Sequence, residues 1–346
     1  MEGKQTPIIL IRADGNETLG MGHLMRCLSI ATALEKMNVK CVFLVAQEQA
    51  ADFVREKGFA CEVLATDYRH MESELPLLEE LATKYSPKCW LVDSYQMTQE
   101  YLSEIRKAAP VYYVDDIGEQ IFEADGLINY NIYAAGLEYE VRCPESMRLF
   151  LGAGYAPVKS EFVSVPYPVR EKVQNVLITM GGSDKLNIAG RLSLCLAECL
   201  PKEVNLTVVC GRFNSHLEEL MQLQQKEPRI KIWVDVPDMW NRMAQADIAV
   251  SAAGSTMYEL SAMGVPTVCC YYVENQRRIA EGFASMIGMT NAGDYSKNPD
   301  EALSQMIKAV SELTNSRRER EKLSSRMKQI VDGMGAERIA QKLCDI

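Results

Sequence analysis

Short apolar runs alternating with longer amphipathic stretches set the strongest constraint on this chain. In the first half the runs fall at residues 8–12, 41–46, 61–64, 89–93, 111–115 and 126–129. Between them, residues 23–37, 49–57, 71–84 and 98–107 repeat apolar side chains at helical spacing. A strand that is apolar on both faces needs cover on both faces, so the pattern predicts a parallel sheet enclosed by helices. The rhythm stops at a Pro-rich charged segment, residues 165–172, and then restarts. Further strands are expected at 176–180, 205–210, 230–234, 248–252 and 267–271, and further helices at 188–199, 216–225, 239–244, 257–263 and 277–286. The tail from Asp300 reads as helical, with residues 317–322 as a solvated face.

A chain of 346 residues exceeds one ordinary core. The expected fold class is therefore α/β, with two Rossmann-like, doubly wound domains facing a central cleft. Their expected extents are residues 1–165 and 172–346, the second carrying the C-terminal helices. The net charge of -10 and the absence of a basic block argue against a nucleic-acid partner. Eleven cysteines occur without a CxxC pair, mostly inside apolar runs, which fits buried thiols in a reducing compartment. No signal-peptide pattern and no apolar run near membrane-spanning length is present, so a cytoplasmic protein without membrane insertion is expected. Nothing in the sequence specifies an oligomeric state.

In open parallel sheets, ligands bind beyond the carboxyl ends of the strands. Four such ends carry unusual loops. The first is Leu19-Gly20-Met21-Gly22-His23-Leu24-Met25-Arg26, one of only three histidine sites in the chain. A helix N-terminus favours an anion over a protonated imidazole, so a neutral His23 there suits a general base beside a phosphate. It equally suits a residue that only packs the helix start. Met25 stands where a dinucleotide fingerprint needs its third glycine, which weakens that reading. Arg26 shares the His23 face and suits a phosphate or carboxylate, or a salt bridge. The second loop follows Asp93-Ser94-Tyr95. There Asp93 is placed to orient His23, and Tyr95 to donate to the reacting oxygen or position a water. The alternatives are a capping acid and a packing phenol. Asp115-Asp116, at the next strand end, reads as a divalent-metal pair or, more simply, as a turn.

The third loop is Met180-Gly181-Gly182-Ser183-Asp184, whose glycines permit close backbone approach and whose Ser183 or Asp184 suits a helix cap. The fourth is Ala253-Gly254-Ser255-Thr256, with Glu259 one turn further on. Small residues and hydroxyls at a helix start suit a phosphate, and Glu259 is placed to accept from ribose hydroxyls. Glu274-Asn275-Gln276 offers amides suited to a sugar, or to capping.

Together these residues resemble the GT-B superfamily of nucleotide-sugar proteins. Within it the chain is similar to the UDP-2,4-diacetamido-2,4,6-trideoxy-β-L-altropyranose hydrolases of the pseudaminic-acid pathway. The most specific part is Arg12-x-Asp14 followed by Gly20-x-Gly22-His23-x-x-Arg26. It continues through Val92-Asp93-Ser94-Tyr95, Asn129-Tyr130-Asn131, Gly152-x-x-Tyr155-x-x-Val158-Lys159 and Met180-Gly181-Gly182-Ser183-Asp184 to Glu274-Asn275-Gln276. The first glycine loop is longer than the minimum by residues 15–18. The resemblance implies His23 as the catalytic residue, with Tyr95 and Asp93 in support. It implies substrate contacts at Arg12, Asp14, Gly22, Arg26, Asn131, Tyr155, Lys159, Asn275 and Gln276. It implies UDP recognition at Gly181, Gly182, Ser183, Gly254, Ser255, Thr256 and Glu259. No metal and no cofactor is expected.

The chemistry that follows is a single displacement, in which His23 activates water and UDP leaves with inversion at the anomeric carbon. A GT-B glycosyltransferase replaces water by an acceptor hydroxyl, and the second half also resembles the transferase that makes lipid II. A noncatalytic nucleotide-sugar sensor and a hydrolysing 2-epimerase are further readings. The stereochemistry of the sugar stays open.

Overall fold

The computed structural model describes residues 6–16, 19–212 and 214–346, so Glu17 and Thr18 of the lengthened first loop lie outside the described residues. The chain divides into two compact units. One runs to Val158 and takes in Met334–Ile346; the other is Lys159–Gly333.

In the first unit, β1 (Ile8–Ala13) leads to α1 (Gly22–Lys36), β2 (Lys40–Val45), α2 (Glu48–Glu56) and β3 (Ala60–Val63). The single helix expected at 71–84 is a 3-10 turn, Met71–Glu74, followed by α3 (Leu75–Tyr85). Pro76 falls in the first turn of α3, where its missing N–H costs nothing. Then come β4 (Cys89–Asp93), α4 (Gln99–Arg106), β5 (Val111–Val114), β6 (Gly126–Asn129), α5 (Tyr139–Arg142) and β7 (Arg148–Leu151). The sheet is parallel, in the order β3-β2-β1-β4-β5-β6-β7. The chain order reverses between β1 and β4, and Ala13 pairs with Asp93 across that switch point. The loop into α1 and the end of β4 are thereby brought together.

The second unit repeats the device. It contains α6 (Glu161–Ser164), β8 (Asn175–Thr179), α7 (Ile188–Cys199), β9 (Asn205–Cys210), α8 (Leu217–Lys226), β10 (Ile230–Val234) and α9 (Met239–Gln245). It continues with β11 (Ile248–Ala252), α10 (Thr256–Met263), β12 (Thr267–Tyr271), α11 (Glu274–Ile287), β13 (Thr290–Asp294), α12 (Pro299–Asn315) and α13 (Arg317–Ile330). Its parallel sheet has the order β10-β9-β8-β11-β12-β13, with the switch point between β8 and β11. Val176, Ile178, Val208, Val250 and Val268 are fully buried on its strands, as are Leu10, Val92 and Val111 in the first unit.

The units divide elsewhere than the sequence implied. The Pro-rich segment is not a linker but is packed into the second unit. Tyr167 is buried and donates to the Asp247 carbonyl at 3.3 Å, and Arg170 pairs with Asp247 at 2.8 Å. Arg320, expected on a solvated face, is 1% exposed and donates to the carbonyls of Arg170 and Glu171. The last helix, α14 (Gly335–Cys344), belongs to the first unit and packs on α1. Gly335 lets the start of α14 approach the backbone of Tyr155 and Ala156, since a Cβ there would lie 2.2 Å from the Ala156 carbonyl oxygen. Ile339, Ala340 and Leu343 are fully buried in the contact, and Lys88 donates to the Cys344 carbonyl at 2.7 Å. All eleven cysteines are free. Among the described residues, no helix is long and apolar enough to cross a membrane.

Leu343→Ala removes a fully buried side chain from the α14 contact. It is expected to destabilise the first unit by about 2–5 kcal/mol. Urea unfolding will show a lower midpoint, and hydrogen exchange will show lost protection in α1 rather than in α12 or α13.

Candidate active site

His23 sits in the first turn of α1, directly beyond the switch-point strands. It is 6% exposed. Its Nδ1 lies 2.6 Å from Asp93 Oδ1. Burial alone would raise the Asp93 carboxyl, but Arg26 and His23 outweigh it and hold Asp93 well below the usual carboxylate range. An ionised carboxylate only accepts, so in the neutral ring Nδ1 carries the proton and Nε2 the lone pair. No hydrogen bond engages Nε2 among the described residues. Asp93 is otherwise saturated: Arg26 Nε donates to Oδ2 and Nη2 to Oδ1, each at 2.5 Å, and Cys27 Sγ lies 3.5 Å from Oδ2.

Arg26 reaches further with its third nitrogen. Nη1 donates to Asp116 Oδ2 at 2.7 Å and to the Tyr130 hydroxyl at 3.0 Å. Asp116 Oδ2 also accepts from the Tyr95 hydroxyl at 3.0 Å, while Asp116 Oδ1 is buried without a hydrogen bond among the described residues. The Tyr95 ring stands edge-on to His23, with centroids 4.6 Å apart and planes at 79°. Behind this cluster, Asp115 Oδ1 accepts from the amides of Ile117 and Gly118, and Oδ2 accepts from the Tyr139 hydroxyl. Asp115 is thus a turn residue, and its carboxylate is spent.

In the second unit, two loops flank the β8–β11 switch point. Gly181 takes a left-handed φ of 81°, and the backbone of Gly211 closes on Gly182, where a Cβ on Gly211 would lie 2.7 Å from the Gly182 oxygen. Asp184 caps α7, accepting from the amides of Ile188 and Ala189 at 3.0 and 2.9 Å. Ser255 begins α10 without a side-chain capping bond. The hydroxyls of Ser183, Ser255 and Thr256 make no hydrogen bond among the described residues, and no side chain stands within 4 Å of a Cβ placed on Gly182 or Gly254. Glu259, partly buried in the first turn of α10, is also without a hydrogen bond. Tyr272 ties the following loop to this place by donating to the Met180 carbonyl at 2.8 Å.

Residues 176–343 match the glycosyltransferase family 28 C-terminal domain. The whole chain is similar to the spore coat polysaccharide biosynthesis protein SpsG of Bacillus subtilis, at 28% identity over 343 residues and 97% of each chain. It is also similar to the UDP-2,4-diacetamido-2,4,6-trideoxy-β-L-altropyranose hydrolase of Campylobacter jejuni, at 24% identity over 278 residues, covering 80% of this chain and 96% of that one. A crystal structure of MurG from Acinetobacter baumannii superposes with a TM-score of 0.72 at 15% identity, covering 99% of this chain and 100% of that one. The fold is GT-B.

Within this GT-B chain, several residues expected on the substrate make bonds within the scaffold. Arg12 is fully buried and donates from Nε and Nη2 to Glu74 at 2.8 and 2.6 Å. Asp14 pairs with Arg12 at 2.6 Å and accepts from the Ala46 amide, so both side chains brace the sheet beneath the site. Arg26 has its N–H groups committed to Asp93, Asp116 and Tyr130, which leaves little of the fork for a substrate anion. Tyr155 stacks on Phe150 at 5.7 Å and lines a cavity with Arg148 and with Lys342 and Asp345 at the C-terminal helix, apart from the His23 cluster. Asn131 is buried and supports the Asp116 carbonyl at 3.3 Å. Gln276 Oε1 accepts from the Tyr272 amide at 3.1 Å, a local turn bond, whereas Asn275 is exposed. Gly22 opens α1 with free space at its Cβ position. Lys159 lies close enough to Glu259 to act on its charge.

Asp116 is the residue that sequence reasoning undervalued in this GT-B site. Its adjacency to Asp115 drew attention, but as a metal or turn pair. The informative signal is its place at the carboxyl end of β5, next along the sheet from Asp93.

Burial lifts the Glu259 carboxyl from 4.5 to about 7, against the opposing charge of Lys159. A carboxyl raised in the folded state binds its proton more tightly there than when unfolded. Its contribution to stability is full below about 4.5 and is lost as the pH rises through about 7. Glu259→Gln cannot titrate. The stability of the wild-type chain relative to this variant is therefore expected to fall across that window, as read from urea midpoints at stepped pH.

Proposed function

We propose that this protein hydrolyses a UDP-linked 2,4-diacetamido-2,4,6-trideoxy hexose at its anomeric carbon, with inversion, giving UDP and the free sugar of the pseudaminic-acid pathway. The observation that carries the reading is the His23–Asp93 pair, with Nδ1 committed to an ionised carboxylate and Nε2 unbonded among the described residues. The named Campylobacter relative supports the substrate class.

In this reading the loops of the second unit take the UDP. The N-terminus of α10 and the hydroxyls of Ser255 and Thr256 meet the phosphates, and Glu259 accepts from the ribose hydroxyls. The first unit carries the chemistry. A water gives one proton to His23 Nε2, and its oxygen forms the new bond to the anomeric carbon. The bond from that carbon to the phosphate oxygen breaks with its electron pair leaving on UDP. The Asp93 carboxylate holds the imidazolium that forms, as an orienting acid does. Attack opposite the leaving group inverts the centre.

The test is a panel of UDP-sugars without any acceptor, with UDP read by chromatography and the fresh anomer by NMR. Acceptor-free release of UDP and an inverted first anomer are expected. His23→Asn is expected to lose roughly 10²–10⁴ in kcat. Near-normal turnover by His23→Asn would overturn the assignment of the base. Strict dependence on an acceptor would favour a transferase, the reading that the family 28 match of residues 176–343 supports. Tight binding with no release would favour a sensor.

A further inference from the structure

We propose that Asp116 is a positioning residue that fixes the Tyr95 phenol as a hydrogen-bond acceptor, so that Tyr95 Oη and His23 Nε2 together hold the attacking water. The inference rests on the hydrolase reading and adds a residue and a role to it.

A phenol has one proton to give, and Tyr95 gives it to Asp116 Oδ2 at 3.0 Å. What its oxygen still offers is acceptance. Tyr95 is therefore a poor donor to the departing phosphate oxygen and a good partner for a water O–H. Its place fits this use, edge-on to His23 at 4.6 Å and 51% exposed. Burial and the Asp116 charge both push the phenol above its ordinary pKa, so it keeps its proton. The charged or titratable groups around it are Asp116, Arg26, Asp93 and His23.

Asp116 is held from two sides. Arg26 Nη1 donates to the same Oδ2 at 2.7 Å, and the Asp116 carbonyl accepts from Tyr133 at 2.8 Å and Asn131 at 3.3 Å. One guanidinium thus sets both arms, His23 through Asp93 and Tyr95 through Asp116. A water between the arms directs one O–H at Nε2 and the other at the phenol oxygen. Its lone pair is then free for the anomeric carbon. On attack, the first proton passes to Nε2 and the second stays on the new sugar hydroxyl, while Tyr95 neither gains nor loses a proton.

The test compares Tyr95→Phe, Asp116→Ala, Asp116→Asn and the Tyr95→Phe/Asp116→Ala double variant on a UDP-sugar that the wild type turns over. Tyr95→Phe and Asp116→Ala are each expected to lower kcat by roughly tenfold to a hundredfold, the scale of a misplaced reactant. KM should stay within about twofold, because the lost contact is to water and not to the sugar. The double variant should be no slower than the slower single one, and Asp116→Asn, which keeps an acceptor oxygen, should recover most of the loss. Multiplying losses, or an unchanged kcat in Asp116→Ala, would overturn the proposal. A second arm needs no turnover. With ring-¹³C tyrosine, the Tyr95 signal is assigned by its absence in Tyr95→Phe. Its titration midpoint should drop by about one pH unit or more in Asp116→Ala, as a neighbouring negative charge is removed. An unmoved midpoint would overturn the positioning role. If the wild type turns over no UDP-sugar without an acceptor, the hydrolase reading fails, and this second arm still decides whether Asp116 holds Tyr95.

Discussion

The Arg26 guanidinium lies buried between Asp93 and Asp116, and the arrangement of the first unit's site depends on that shared cation. The Asp93 carboxylate is fully buried, and burial alone would make it resist ionisation without a positive partner. With Arg26 forked onto Asp93 and reaching on to Asp116, both arms are held by one guanidinium. The cost of burying these charges is offset by saturation: every Asp93 oxygen has partners, and Arg26 spends its nitrogens within the cluster. A second buried pair joins Arg12 of β1 to Glu74 of the 3-10 turn and is closed in the same way. Rigid charge placement is what the proton acceptor of the proposed reaction needs, since a fixed imidazole meets its target without a search.

The second unit reaches a comparable place by subtraction. Beside the β8–β11 switch point, Gly182 and Gly254 stand next to small hydroxyl residues, the glycine turn is closed by another glycine, and the hydroxyls of Ser183, Ser255 and Thr256 make no hydrogen bond among the described residues. Glu259 is the exception, a partly buried carboxyl without a hydrogen bond or ion pair among the described residues. A group in that condition is stabilised when hydrogen-bond donors arrive, which suits the ligand role proposed for the loop. The two units thus differ: charge is fixed in advance in the first, and polar groups are left open in the second.

Much of this was legible from residue patterns because central strands are apolar throughout. The strands through Val92 and Val250 stand close to where alternation placed them. The edge strands β7 and β13 escaped notice for the converse reason. Arg148–Leu151 is half exposed, and Thr290–Asp294 is polar and contains glycine, so neither carries a buried-strand signature. The His23–Asp93 pairing was legible because both residues end on the switch-point loops. The fate of the arginines was not. Arg12 finds Glu74 across 62 residues and Arg26 finds Asp116 across 90, and local spacing holds no record of such meetings. The Pro-rich segment misled because proline marks irregular backbone, which can be tightly packed as well as free.

The return of α14 to the first unit has a consequence for biosynthesis. A ribosome emits the chain from its amino end, so the helix that covers α1 emerges only after the whole of the second unit. Until then the apolar side of α1 lacks Ile339 and Leu343 as neighbours. The half of the protein that is made first is thus the half that is finished last.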